Sequence, residues 1–267
     1  MSAMSRVLEP LVESTPAGPS QVKSADRALA IMDLVAARGS VRFNELVAAL
    51  GMPRSSLHGL LHTLTSRGWI DLDEDSRRYS VGLRAWQVGQ AYAGHGALLN
   101  VAKPVMDAMS KELSETVQLA RLDGIENVYI AMSEAPQPMR LVTTVGMRLH
   151  AHATGIGKAL LAQLPPDESA ERLRAVALPR FTEFTIIEPD LLDAALDDVR
   201  AQGYARDDEE VIIGCRCVAV PLFDDGKGLV TALSVTAPTF RCGPDWPDRP
   251  LRRLLSAAAE IRARLDR

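Results

Sequence analysis

Between residues 24 and 82 the chain sets three short amphipathic segments in a row, each closed by a glycine, and follows them with two strand-like runs around a polar turn. From Ser24, a good N-cap residue, ADRALAIMDLVAAR places Leu29, Met32 and Val35 or Ala36 on one helical face and stops at Gly39. A short link (Ser40, Val41, Arg42) leads to FNELVAAL, where Phe43, Leu46, Val47 and Leu50 recur at helical spacing before Gly51. Pro53 stands where a third helix begins, its fixed φ suited to a first turn, and Leu57, Leu60, Leu61 and Leu64 form an apolar stripe that ends near Gly68. Trp69 and Ile70, the polar turn Asp73 to Ser76, and a second arm with Tyr79 and Val81 then predict a β-hairpin.

Helix, helix, tight turn, helix and hairpin is the winged helix-turn-helix order, in which the helix after the turn enters the DNA major groove. The face of that helix opposite the leucines carries Ser55, His58, Gly59, His62 and Ser66, with Arg54 and Ser56 at its start. These side chains are small or donate hydrogen bonds, as reading of base edges requires. Arg77 and Arg78, at the end of the hairpin, suit phosphate or minor-groove contact. Arg54, Ser55, Ser56, His58, His62, Arg77 and Arg78 are therefore the candidate DNA-binding residues. The i, i+4 spacing of His58 and His62 suits a metal, but no Cys or Glu-rich partner lies near, so no metal site is expected.

The remainder alternates strand and helix patterns. Strands are predicted at 116–122, 127–133, 140–145, 217–223 and 229–235, the last two flanking a turn at Asp224, Asp225, Gly226 and Lys227. Helices are predicted at 83–99, 101–113, 155–163, 166–176, 189–202 and 247–266. Antiparallel strands with interspersed helices make this an α+β chain. Residues 1–21, rich in Ser, Pro and Gly without a sustained period, read as a disordered arm. They show neither the basic start nor the apolar core of a secretory signal, and no apolar run approaches the roughly 18 residues of a membrane span, so a cytoplasmic protein is expected. Three cysteines point to reduced thiols rather than a disulfide framework.

Taken together, VKSADRALAIMDLVA, LGMPRSSLHGLLHTLTSRGWI and YSVGLRAWQVG resemble the DNA-binding half of the IclR family of bacterial transcriptional regulators. SETVQLARLDG, HATGIGKALLAQLP and GYARDDEEVIIGCRCVAVPLFDDGKGLVTALSVTAP resemble its ligand-binding half. The ordered set covers residues 22–238. The resemblance implies a winged helix-turn-helix domain at 22–82, a linker helix at 83–100 and a GAF-like effector-binding domain at 101–267. It implies a homodimer or dimer of dimers on a pseudo-palindromic double-stranded operator, controlled by a small carboxylate-bearing effector and without a cofactor. Gly155, Ile156, Asp207, Cys217, Ser234 and Thr236 match effector-contacting positions, and Cys215 fits a pocket wall. The start of the helix in TGIGKA would offer backbone N–H groups to a carboxylate, with Lys158 adding attraction. One departure is Gly59, where the family commonly has Arg.

Competing readings are weaker. Gly157 and Lys158 lack the preceding glycine and the following Ser or Thr of a phosphate loop. A thiol enzyme using Cys215 or Cys217, helped by Asp207 or His152, is the alternative function. The two cysteines are instead expected to be buried small side chains on opposite faces of their strand. Asp207 to Glu210 reads as a solvated loop or, better, as a pocket edge at Asp207 with Glu210 in a structural salt bridge. The net charge of −4 argues against a polyanion partner only when averaged over the chain. Residues 1–82 hold nine basic and nine acidic side chains, which leaves the surplus of acid to the rest. A neutral DNA-binding half binds tightly only when two or more heads act together.

Overall fold

A computed structural model describes residues 22–91, 96–137, 143–224 and 230–266. The chain divides into two compact units between residues 95 and 96. Residues 1–21, read above as an arm, lie outside the described residues, as does most of the turn after Asp224.

The first unit contains α1 (Lys23–Arg38), β1 (Ser40–Arg42), α2 (Phe43–Leu50), α3 (Arg54–Ser66), β2 (Ile70–Asp73), β3 (Arg78–Val81) and α4 (Leu83–Gly89). Ile31, Val35, Leu46, Leu57, Leu61 and Ile70 are almost wholly buried and form its core. The buried face of α1 is Ile31, Leu34 and Val35, whereas Leu29 is 65% exposed. α1 is apolar over much of its circumference, and contact with the other elements, not periodicity, selects the stripe that is buried. The short link before α2 is a strand: β1 pairs antiparallel with β3, Val41 opposite Tyr79, so the hairpin becomes a three-stranded sheet in the order β1-β3-β2. The hairpin closes onto the end of α3 at Gly82, where a Cβ would stand 2.4 Å from the Gly68 carbonyl oxygen. Only glycine permits that approach.

The second unit comprises α5 (Gly96–Leu113), β4 (Thr116–Asp123), β5 (Glu126–Ser133), β6 (Arg148–His150), α6 (Gly155–Leu161), α7 (Pro166–Arg174), α8 (Pro189–Gln202), β7 (Ala205–Asp208), β8 (Cys215–Asp224), β9 (Val230–Pro238) and α9 (Asp248–Leu265). Its strands form one antiparallel sheet in the order β6-β5-β4-β9-β8-β7. α5 and α9 cover one face, packing Met106, Met109, Leu254 and Ile261 on Val117, Leu119, Val218 and Val235. α6 and α8 cover the other over Ala120, Ala205, Ala219 and Ala232, whose small side chains let α6 lie close to the strands.

Two strands differ from the sequence reading. Residues 140–142 lie outside the described residues, and the strand beside β5 runs through Arg148–His150, with Arg148 opposite Val128. The acidic run opens on β7, which pairs with β8 although Arg-Asp-Asp has little strand propensity. A single helix also runs from Gly96 to Leu113 across the expected break at residue 100. Among the described residues no helix is long and apolar enough to cross a membrane.

Candidate functional site

In the second unit, the face that meets α6 changes chemistry along the strands. On β4 it runs Ala120, Gln118, Thr116; on β9 Ala232, Ser234, Thr236; on β8 Ala219, Cys217, Cys215; and on β7 Ala205, Asp207. Period-two alternation brings these residues to one side, and the register aligns them: Asp207 faces Cys217, Cys217 faces Thr236, and Ser234 faces Gln118. Alanines thus seat the helix, and polar side chains gather at one end of the sheet. Cys215 and Cys217, two residues apart, share a face. The expectation of opposite faces is corrected, because only successive strand residues point apart.

α6 begins over this polar end. The backbone of Gly155 lies so close that a Cβ there would be 3.1 Å from the Cys217 sulfur and 3.2 Å from the Asp207 nitrogen. Thr154 caps the helix, its hydroxyl accepting the Gly157 N–H at 3.0 Å and donating to Asn127 Oδ1 at 2.7 Å. At Gly157 a Cβ would fall 2.3 Å from Ala151 Cα, which fixes glycine there. The Ser234 and Thr236 hydroxyls donate to Gln118 Oε1 at 3.0 and 2.8 Å, and Gln118 Nε2 donates to Thr143 Oγ1 at 3.1 Å. Gln118 and Thr143 escape sequence reasoning, since nothing local marks one buried amide in a strand.

Electrostatics are set by burial. Asp207 is 8% exposed, and desolvation, with repulsion from Glu210, pushes its carboxyl up to about 8. Its Oδ1 accepts the Glu210 N–H at 2.7 Å. Lys158 and Glu210 form a buried ion pair, as expected for Glu210, but this commits the Lys158 ammonium to Glu210 instead of to a ligand. Burial drives the Cys217 thiol up to about 12 and raises that of Cys215 as well, so neither is a ready thiolate. His152, wholly buried, is pushed down to about 4 mainly by desolvation and donates from Nε2 to the Pro179 carbonyl at 3.1 Å. Among the described residues, no group of three or more His, Cys, Asp and Glu side chains could hold a metal.

In the first unit, α3 presents Ser55, His58, Gly59 and His62 outward, with Ser56 half-buried beside them. Arg54 lies back along α2: its guanidinium donates to Asn44 Oδ1 at 2.9 Å and sits 5.1 Å from the Phe43 ring centre. On the hairpin, Arg77 pairs with Glu74 at the exposed turn. Arg78 donates to the hydroxyl and carbonyl of Ser40 at 2.8 and 2.7 Å, bracing β1 against β3.

Two family profiles match the chain: the IclR helix-turn-helix domain over residues 24–74 and the bacterial transcriptional regulator IclR C-terminal domain over residues 90–263. The chain belongs to the IclR family. It is accordingly a DNA-binding transcriptional regulator, whose first unit is the helix-turn-helix domain and whose second is the C-terminal domain of that family. HTH-type transcriptional regulator BhcR of Paracoccus denitrificans is 35% identical over 240 residues, covering 90% of this chain and 86% of that one. Transcriptional repressor IclR of Escherichia coli is 31% identical over 95% of this chain and 93% of its own. An IclR homologue from Microbacterium hydrocarbonoxydans, solved with 4-hydroxybenzoate, superposes with a TM-score of 0.79 at 24% identity over 91% of this chain and 99% of its own.

Proposed function

We propose that the protein controls a catabolic operon by binding its operator through α3 and the hairpin, and that a small organic acid seated at the polar end of the second sheet changes that binding. The observation that carries the effector reading is the convergence of Asp207, Cys217, Ser234 and Thr236 beside Gly155 and Ile156, with Cys215 at the outer edge. The 4-hydroxybenzoate on a protein of the same fold supports a carboxylate-bearing ligand. A neutral Asp207 acid would donate to such a carboxylate where an ionised one would repel it.

On DNA, Ser55, Ser56, His58 and His62 face base edges, and Arg54 and Arg77 serve phosphates, while Arg78 keeps the hairpin in place. The chain acts in the cytoplasm as a homodimer or dimer of dimers. Leu83 and Trp86, 65% and 62% exposed on α4, support contact with a second copy. No catalytic step is assigned, because the buried Cys217 and half-buried Cys215 thiols, with raised pKa values, make poor nucleophiles.

The test joins two measurements. A panel of small carboxylates, 4-hydroxybenzoate included, is screened for a shift in melting temperature and for a change in affinity for the DNA upstream of the protein's own gene. A state-selective ligand alters both. If no member of the panel moves either, the effector reading fails; if the upstream DNA binds no better than random duplex, the operator reading fails.

A further inference from the structure

α3 carries a glycine that the fold itself does not require. Gly59 lies mid-helix, is exposed, and is absent from the glycines with left-handed backbone. A Cβ built on it meets nothing within 4 Å in the protein, in contrast to Gly82 and Gly157, where it would collide with backbone. Glycine is a poor helix former, so at this position it weakens the helix with no gain in packing or turn geometry.

The surrounding face gives the residue a role. Ser55 stands one turn before Gly59, and His62 and Thr63 one turn after, all exposed. Thr63 donates its hydroxyl to the Gly59 carbonyl at 3.0 Å and is folded back on the helix. Arg54, the one Lys or Arg side chain of α3, is turned toward Asn44 and Phe43. The Ser55–Gly59 row therefore has short reach, while the longer imidazoles of His58 and His62 flank it on one side. A serine hydroxyl extends one bond beyond Cβ, so it meets a base edge only when the helix backbone comes close to the groove floor. At that approach the bare Cα of Gly59 comes with it, and a side chain longer than that of Ser55 there would strike first.

We infer that Gly59 is a specificity-determining residue for DNA binding, its missing side chain leaving the gap that admits a base-pair edge against the α3 backbone. The inference rests on the reading of α3 as the base-facing helix. Gly59 therefore sets which base pairs fit beneath α3, although it contributes no polar group.

The experiment uses the full chain and two duplexes, one selected by the wild-type protein from a randomised pool and one of random sequence. Gly59→Ala and Gly59→Leu are compared with Ser55→Ala and His62→Ala at fixed salt. Gly59→Ala should melt higher, by about 4 °C, because helix propensity improves with no clash. It should bind the selected duplex at most about threefold more weakly, and Gly59→Leu at least about tenfold more weakly, while random-duplex affinity stays the same; a fresh selection with Gly59→Leu should yield a different consensus. Unchanged affinity of both glycine variants for the selected duplex, with Ser55→Ala or His62→Ala weakened, overturns the inference and leaves α3 as the reading helix. If Ser55→Ala and His62→Ala are also without effect, α3 does not face the bases and both readings fall. Equal loss on both duplexes, or a lower melting temperature of Gly59→Ala, assigns the glycine to general affinity or to the fold and likewise overturns it.

Discussion

Replacing Asp207 by Asn should make the protein more stable at high pH and leave it nearly unchanged at low pH. The carboxyl ordinarily titrates near 3.8 but is pushed up to about 8 in the fold, where burial and Glu210 oppose its charge. Below about pH 4 both folded and unfolded chains hold the proton, and the buried neutral acid carries no charge penalty. Between about 4 and 8 the unfolded chain releases the proton while the folded chain keeps it, so stability falls as pH rises through that window. A shift of this size, at about 1.4 kcal/mol per unit, corresponds to a loss on the order of 5 kcal/mol. Asn preserves the acceptor that Asp207 Oδ1 offers to the Glu210 N–H at 2.7 Å and removes the titration. Urea unfolding of wild type and Asp207→Asn from pH 4 to 9, followed by tryptophan fluorescence, measures the difference. The variant should match wild type within about 1 kcal/mol at pH 4 and exceed it by several at pH 8.5. Glu210, whose pKa is also raised by burial, adds a slope of the same sign to both proteins, and the part that comes from its repulsion with Asp207 is lost in the variant together with that titration. Parallel profiles, with the variant equally altered at both ends, would refute a buried neutral Asp207.

Lys158→Met should cost about 3–5 kcal/mol, because it strands Glu210 at 6% exposure, and Lys158→Met with Glu210→Met should recover most of that loss in the same denaturation assay. Gly157→Ala should destabilise the second unit by roughly 1–3 kcal/mol, since its Cβ would stand 2.3 Å from Ala151; a melting temperature equal to wild type would contradict the packing of α6. Iodoacetamide at pH 8 should modify Cys217 far more slowly in the native chain than in urea, given a thiol that is 6% exposed and pushed up to about 12; equal rates would revive a reactive thiol. Affinity for 4-hydroxybenzoate, if it serves as a ligand, should fall as pH rises past about 8 in wild type but not in Asp207→Asn, read by isothermal titration calorimetry.

The helices were the most legible part of the chain. α2, α3 and α8 could be read closely from glycine stops, prolines at starts and apolar residues at i, i+3 and i+4. The strand pair β4 and β5 was legible as two apolar-rich runs on either side of Asp123 and Gly124; only β5 alternates buried and half-buried residues along its length, β4 being buried on both faces. β7 was not, because Ala-Arg-Asp-Asp becomes a strand through the backbone of β8 rather than through its own side chains. The motif residues of the candidate effector site could be named from family likeness, but Gln118 joins Ser234 and Thr236 across 116 and 118 positions of chain.

The sequence by itself determined the order of the helices, the helix-turn-helix with its hairpin, and the membership of the family, because these depend on local periodicity, turn chemistry and motif order. Tertiary structure alone decided which stripe of α1 is buried, that Lys158 is spent on Glu210 52 residues away, that Arg54 lies against α2, and that both strand cysteines face α6. It also raised the Asp207 carboxyl, since a pKa depends on the solvent removed around a group and the charges left beside it. Local patterns specify segments; burial and pairing exist only once those segments have met.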